Sequence, residues 1–135
     1  MNLSESLCAH LKNDAGVSAI VGTKVYPLRA PRDIAFPFVI YQTIGGAPEH
    51  CMVSDAGVRG TLVQLSSWAA EHAAALVLAM AVETSLKDFS GTLGGIGGVT
   101  VDRIFAETEI VDDLDETAGT EPAHRARQDL RVWYS

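Results

Sequence analysis

Four histidines (His10, His50, His72 and His124) and two cysteines (Cys8 and Cys51) are the side chains best suited to metal ligation or proton transfer. Structural zinc asks for paired ligands at short spacing, such as C-x-x-C, and no such pair exists. His50 precedes Cys51, but chain neighbours rarely converge on one ion, and no second pair follows. His10 and His72 lack a sequence-near ligand, and His124 beside Arg125 and Arg127 reads as a solvated basic patch. The run Asp112-Asp113-Leu114-Asp115-Glu116 brings carboxylates together, as a calcium loop would. Its acids are out of the alternating register, and the turn glycine comes late, at Gly119. A solvated, mobile loop is the expectation for it. Gly94, Gly95, Gly97 and Gly98 precede a strand, so the helix N-terminus of a phosphate cradle is missing. No G-x-S-x-G elbow, H-E-x-x-H or P-loop occurs. The residues suggest neither a catalytic centre nor a cofactor, and the chain reads as a non-enzyme.

The elements that position these side chains belong to one domain spanning 1–135, since 135 residues are too few for two ordinary domains. An apolar fraction of 47% and a charged fraction of 20% are those of a globular chain. The net charge of -7 disfavours a reader that grips nucleic-acid phosphates. It does not disfavour a protein that surrounds DNA without holding it. Two cysteines make no disulfide framework, which fits a reducing compartment. The opening MNLSESLCAHLK lacks a signal-peptide pattern, and the apolar run Ala73–Val82 is far below a bilayer span, so no membrane role is expected.

Leu3, Leu7 and Leu11 repeat at i, i+4, i+8 and predict a first helix, with Asn2 and Glu5 as a capping pair and Gly16 as the stop. The patch Val17–Val21 is too short to classify. Val25–Arg29 reads as a short strand, and Pro27, Pro31 and Pro37 delimit a loop. Phe38–Ile44 and Arg59–Trp68 read as strands, with Val63, Leu65 and Ser67 on one side and Leu62, Gln64, Ser66 and Trp68 on the other. A helix then runs to about Lys87. The glycine-rich stretch 94–98 reads as a flexible connector, followed by strands at Val99–Thr108 and Gln128–Tyr134. Consecutive strands without alternating helices predict an α+β fold. It is expected to be an antiparallel β-sheet of about four to five strands packed on two helices, helix first, with a long helix between the third and fourth strands.

That long helix is the most informative segment. Positions 75, 78, 79, 82 and 86 form a core-facing stripe, yet Leu76, Val77, Met80 and Ala81 fall outside it. A helix without a polar face is buried on more than one side. Leaving Leu76, Val77 and Met80 exposed would forfeit roughly 1.5–3 kcal/mol each. Either the first helix and loops cover them within the monomer, or an adjacent subunit does.

Several segments, in order, resemble the tail completion family of long-tailed bacteriophages. They are Val17-Ser18-Ala19-Ile20-Val21-Gly22 after the leading helix, Lys24-Val25-Tyr26-Pro27, and Phe36-Pro37-Phe38-Val39-Ile40-Tyr41-Gln42. Val63-Gln64-Leu65-Ser66-Ser67-Trp68-Ala69 and Arg127-Gln128-Asp129-Leu130-Arg131-Val132-Trp133-Tyr134 complete the match. The resemblance implies a homo-oligomeric ring, usually of six subunits. This tail terminator would cap the tail tube at the head-proximal end of the virion's tail, after assembly in the host cytoplasm. Its implied partners are the tail tube protein and the head-tail connector or neck protein, with DNA passing through unread. The family has no catalytic residues to transfer. The alternatives are another neck or head-completion subunit, or a small ligand-binding domain or enzyme. The candidate assembly contacts are Leu76, Val77 and Met80 on the helix, His50, Met52 and Asp55 in the loop 45–58, and Asp112, Asp113, Asp115 and Glu116 in the stretch 109–126.

Overall fold

The computed structural model describes residues 2–31, 34–44, 59–115 and 123–134. Helix α1 (Leu3–Asn13) buries Leu3, Leu7 and Leu11, and the Asn2 side chain accepts the Glu5 backbone N–H at 2.8 Å. The expected stop at Gly16 is corrected. Asp14 leaves the helical conformation, and its Oδ2 accepts the Val17 N–H at 3.0 Å. One residue therefore ends α1 and opens α2 (Ala15–Val21), inside which Gly16 lies.

Strands β1 (Val25–Pro27) and β2 (Phe38–Ile44) pair in parallel, and β2 pairs antiparallel with β3 (Arg59–Ala69). Helix α3 (His72–Leu86) follows the third strand as expected, then β4 (Gly91–Thr92), β5 (Thr100–Ala106), β6 (Val111–Asp115) and β7 (Ala123–Tyr134). The sheet runs β1-β2-β3-β7-β5-β4, with β6 also on β7. Thus β5 takes residues 130–134 of one β7 edge and β6 takes residues 123–127. The fold mixes α and β as expected, but it has three helices, seven strands among the described residues and one parallel pair, where two helices and four to five antiparallel strands were expected. The added elements are short and stand on capping and pairing rather than on long periodic patterns.

The core lies between the helices and one face of the sheet. Val39 and Tyr41 from β2, Val63 and Leu65 from β3, Ile104 from β5, and Leu130 and Val132 from β7 meet Leu7, Leu11, Val17, Leu78, Val82 and Leu86. The α3 stripe Ala75, Leu78, Ala79, Val82 and Leu86 is buried as read from its spacing. Beneath it, Gln128 is buried and its Nε2 donates to the Ala79 carbonyl at 2.9 Å.

The glycine stretch is a fastened turn, which corrects its reading as a flexible connector. Leu93 is fully buried and donates to the Val99 carbonyl at 2.9 Å, and Val99 donates to Ser6 Oγ at 3.1 Å. Gly94, at φ +81°, approaches α1 so closely that a Cβ there would stand 2.7 Å from the Ser6 carbonyl.

Candidate functional site

The outward side of α3 carries Ala73, Val77, Met80 and Thr84, spaced i, i+4, i+7, i+11 along one stripe. Val77 is 58% exposed and Met80 60% exposed. Leu76 is half-buried and packs on a small cluster of Ala69, Ala75, Ala79 and Ala126. Of the three candidate helix contacts, the fold therefore covers Leu76 in large part and leaves Val77 and Met80 outside.

Within the acidic stretch, Asp112 to Asp115 lie on β6 and not in a loop. Asp112 and Asp113 lie on β6, and strand alternation sends them to opposite faces. Asp112 Oδ2 meets His72 Nε2 at 2.5 Å, at the first residue of α3. That hydrogen bond, helped by one from its own backbone, holds the Asp112 carboxyl below its ordinary range. The His72 ring stands edge-on to His124, with centroids 5.9 Å apart. His72, Asp112, Asp113, Leu114 and His124 line a pocket of about 230 Å³. On the other face the Asp113 carboxylate accepts from Arg125, with Nε at 3.1 Å from each oxygen and Nη2 close to Oδ2. The Arg125 guanidinium lies over the Trp68 ring at 5.2 Å.

These contacts also correct the reading of His124 with Arg125 and Arg127 as one basic patch. His124 lies at a β7 position opposite Leu114 and Ala69, while Arg125 and Arg127 alternate with core-facing Ala126 and Gln128. Asp115 ends β6 opposite Ala123. His50, Met52, Asp55 and Glu116 lie outside the described residues.

His10 Nε2 stands 3.0 Å from both Ser85 Oγ and the Ser85 carbonyl, and its ring meets Phe89 edge-on. A nitrogen donating to that carbonyl has no lone pair left to take the hydroxyl proton, so the contact clamps α1 to α3. The His72–Asp112 pair belongs to a different part of the fold, at the other end of α3. Among the described residues no three His, Cys, Asp or Glu side chains are arranged to hold a metal ion. Among them, too, no helix is long and apolar enough to cross a membrane.

The outer face of the sheet was not singled out by sequence reasoning. Registers align Phe38, Trp68, Arg125 and Asp113 in one cross-strand row, and Ile40, Ser66, Arg127 and Val111 in the next. Phe36, Phe38 and Trp68 stack in series at 5.4 and 6.2 Å. Arg131 pairs with Glu107 at 2.6 Å and Arg103 with Asp88 at 3.5 Å. Arg127, half-buried, makes no hydrogen bond or ion pair among the described residues. Among the described residues Trp68 Nε1 and Asp129 Oδ1, like Ser67 Oγ and Gln128 Oε1 on the core side, are buried without partners. A groove of about 150 Å³ lies there, lined in part by Leu28, Ile40, Gln64, Ser66, Trp68 and Arg125. The alternation Arg125-Ala126-Arg127-Gln128-Asp129-Leu130-Arg131 is the signal that marks this face, and the strand expected from Gln128 onward began too late to use it.

The chain matches the family model described as tail completion protein gp17 over residues 5–135. It is similar in fold to a chain of a solved structure titled as the virion of a native gene transfer agent (GTA) particle. The TM-score is 0.63 at 22% sequence identity, covering 95% of this chain and 90% of that one. Comparison with curated proteins returns no match.

Proposed function

Because the chain belongs to the tail completion protein gp17 family, a family of structural phage tail proteins, we propose that it acts as a tail terminator. In this reading residues 1–135 fold as one domain, and copies close into a ring, six being the expected number. The ring caps the finished tail tube and joins it to the head connector or neck protein. The observation that supports it best is the outward side of α3, where Val77 and Met80 stay exposed on a helix whose opposite side is core. Burying apolar surface between neighbours is the driving force such a ring needs. Contacts held on the end of a tube gain from proximity, so the ring need not form in dilute solution.

In this reading residues 45–58, with His50, Met52 and Asp55, and residues 109–126, with Asp112, Asp113, Asp115 and Glu116, supply the contacts to the axial partners. DNA passes through the ring unread, and the net charge of -7 works against retention of its phosphates. The terminator places the protein at the head-proximal end of the tail, after assembly in the host cytoplasm. Deleting the protein tests this. A terminator's loss gives tails of abnormal length, whereas tails of normal length that fail to attach to heads identify a neck adaptor instead.

A further inference from the structure

We propose that the exposed stripe of α3 in one copy docks on the outer sheet face of the next, with Met80 seated in the groove between Ile40 and Trp68. This rests on the ring reading above and names the counter-surface of the same contact.

Three observations select that face. First, one cation on this face lacks a partner among the described residues. Among the described residues Arg127 is half-buried without a carboxylate, while Arg103, Arg125 and Arg131 on β5 and β7 each have one. A half-buried guanidinium without a carboxylate is a site that a neighbour's carboxylate would complete. Second, charge is complementary. The residue before α3, Glu71, is exposed, caps nothing with its side chain and forms no ion pair among the described residues. A carboxylate at that end of the apolar stripe is what Arg127 is missing. Third, shape and chemistry agree. The groove is walled by Leu28, Ile40 and Trp68, with Gln64 and Ser66 also lining it. Methionine is unbranched, fills irregular gaps and makes favourable sulfur contacts with aromatic edges.

The two surfaces are different patches of one chain, α3 on the core side of β3 and β7 and the groove on their outer side. A contact between unlike patches is heterologous, and it closes into a ring when the rotation per copy divides the circle. A contact of the α3 stripe with itself would stop at a dimer.

Cross-linking in assembled particles distinguishes these cases. In a background with Cys8→Ala and Cys51→Ala, Met80→Cys and Ser66→Cys are introduced separately and together, and particles are treated with a short bismaleimide. A ladder of multimers only when both cysteines share a chain is the expected result. Dimers from Met80→Cys alone, or no cross-link in particles that contain the protein, would overturn the proposal. In parallel, Arg127→Glu lowers incorporation into particles by roughly tenfold and Glu71→Arg restores it. An unaffected Arg127→Glu variant, or a charge swap that fails to restore, also refutes the docking. Abnormal tail lengths on deletion without a ladder would sink the docking alone. Normal tail lengths with a ladder would sink the terminator reading alone.

Discussion

Replacing Val77 and Met80 together by glutamine separates folding from assembly. In the isolated subunit the two side chains are 58% and 60% exposed, so about two-fifths of their burial is already realised. At about 1.5–3 kcal/mol for full burial, folding loses about 0.6–1.2 kcal/mol at each position. Glutamine's better helix propensity than valine's returns part of that. A domain of this size then melts about 3–10 °C lower, at about 3–5 °C per kcal/mol. The remaining three-fifths is available only in a contact, about 1–2 kcal/mol per residue and about 2–4 kcal/mol for the pair. Each 1.4 kcal/mol is tenfold in affinity, so the association between neighbours falls by roughly 30-fold or more. The assay pairs a thermal melt by circular dichroism with the amount of protein in purified particles. Leu78→Ala, at a fully buried position of the same helix, serves as the folding control and costs about 2–5 kcal/mol. Incorporation unchanged in the Val77→Gln, Met80→Gln variant would refute the reasoning, and so would a melt as low as that of Leu78→Ala.

Gly94→Ala places a Cβ against the Ser6 carbonyl at a positive φ, whereas Gly97→Ala meets only the positive φ, with nothing within 4 Å. Denaturant titration is expected to show a loss of about 1 kcal/mol for Gly97→Ala and a clearly larger one for Gly94→Ala. Gln128→Met removes a buried oxygen that has no partner together with one hydrogen bond, so stability stays within about 1 kcal/mol of the parent or rises. A large destabilisation in the melt would show that the Gln128 amide is satisfied in a way its surroundings do not reveal. Asp112 is held below its ordinary value of 3.8, so its contribution is present above that value and is lost as pH falls through the lowered one. Hydrogen exchange should show β6 amides losing protection in acid in the parent chain, and Asp112→Asn flattening that dependence.

Short-range periodicity made much of this fold legible. Leu3, Leu7 and Leu11 declared the face of α1, and the stripe from Ala75 to Leu86 declared that of α3, because an apolar side in a helix repeats every three to four residues. Phe38–Ile44 was equally plain from its β-branched and aromatic run. What stayed hidden depends on partners far along the chain. Beyond Val111, little in Val111–Asp115 favours a strand by propensity, as aspartate is depleted in strands. It becomes one by pairing with β7, with Asp112 on His72 and Asp113 on Arg125. Seven-residue α2 depends on Asp14 acting for two helices, and the parallel β1–β2 pairing leaves no local mark. Of the candidate contacts, the helix residues were legible because an apolar residue off the core stripe is conspicuous. The outer sheet face was not, because its message lies in which polar groups lack a mate.

Strand β7 follows every other described strand in chain order, yet it lies at the middle of the sheet, between β3 on one side and β5 and β6 on the other. A nascent polypeptide lacking those residues therefore holds two half-sheets with no seam to join them. Its core cannot close until Ala123–Tyr134 joins the sheet, so folding waits on pairings between distant parts of the chain. Copies cut before Ala123 would consequently lack a closed core and be cleared as misfolded chains.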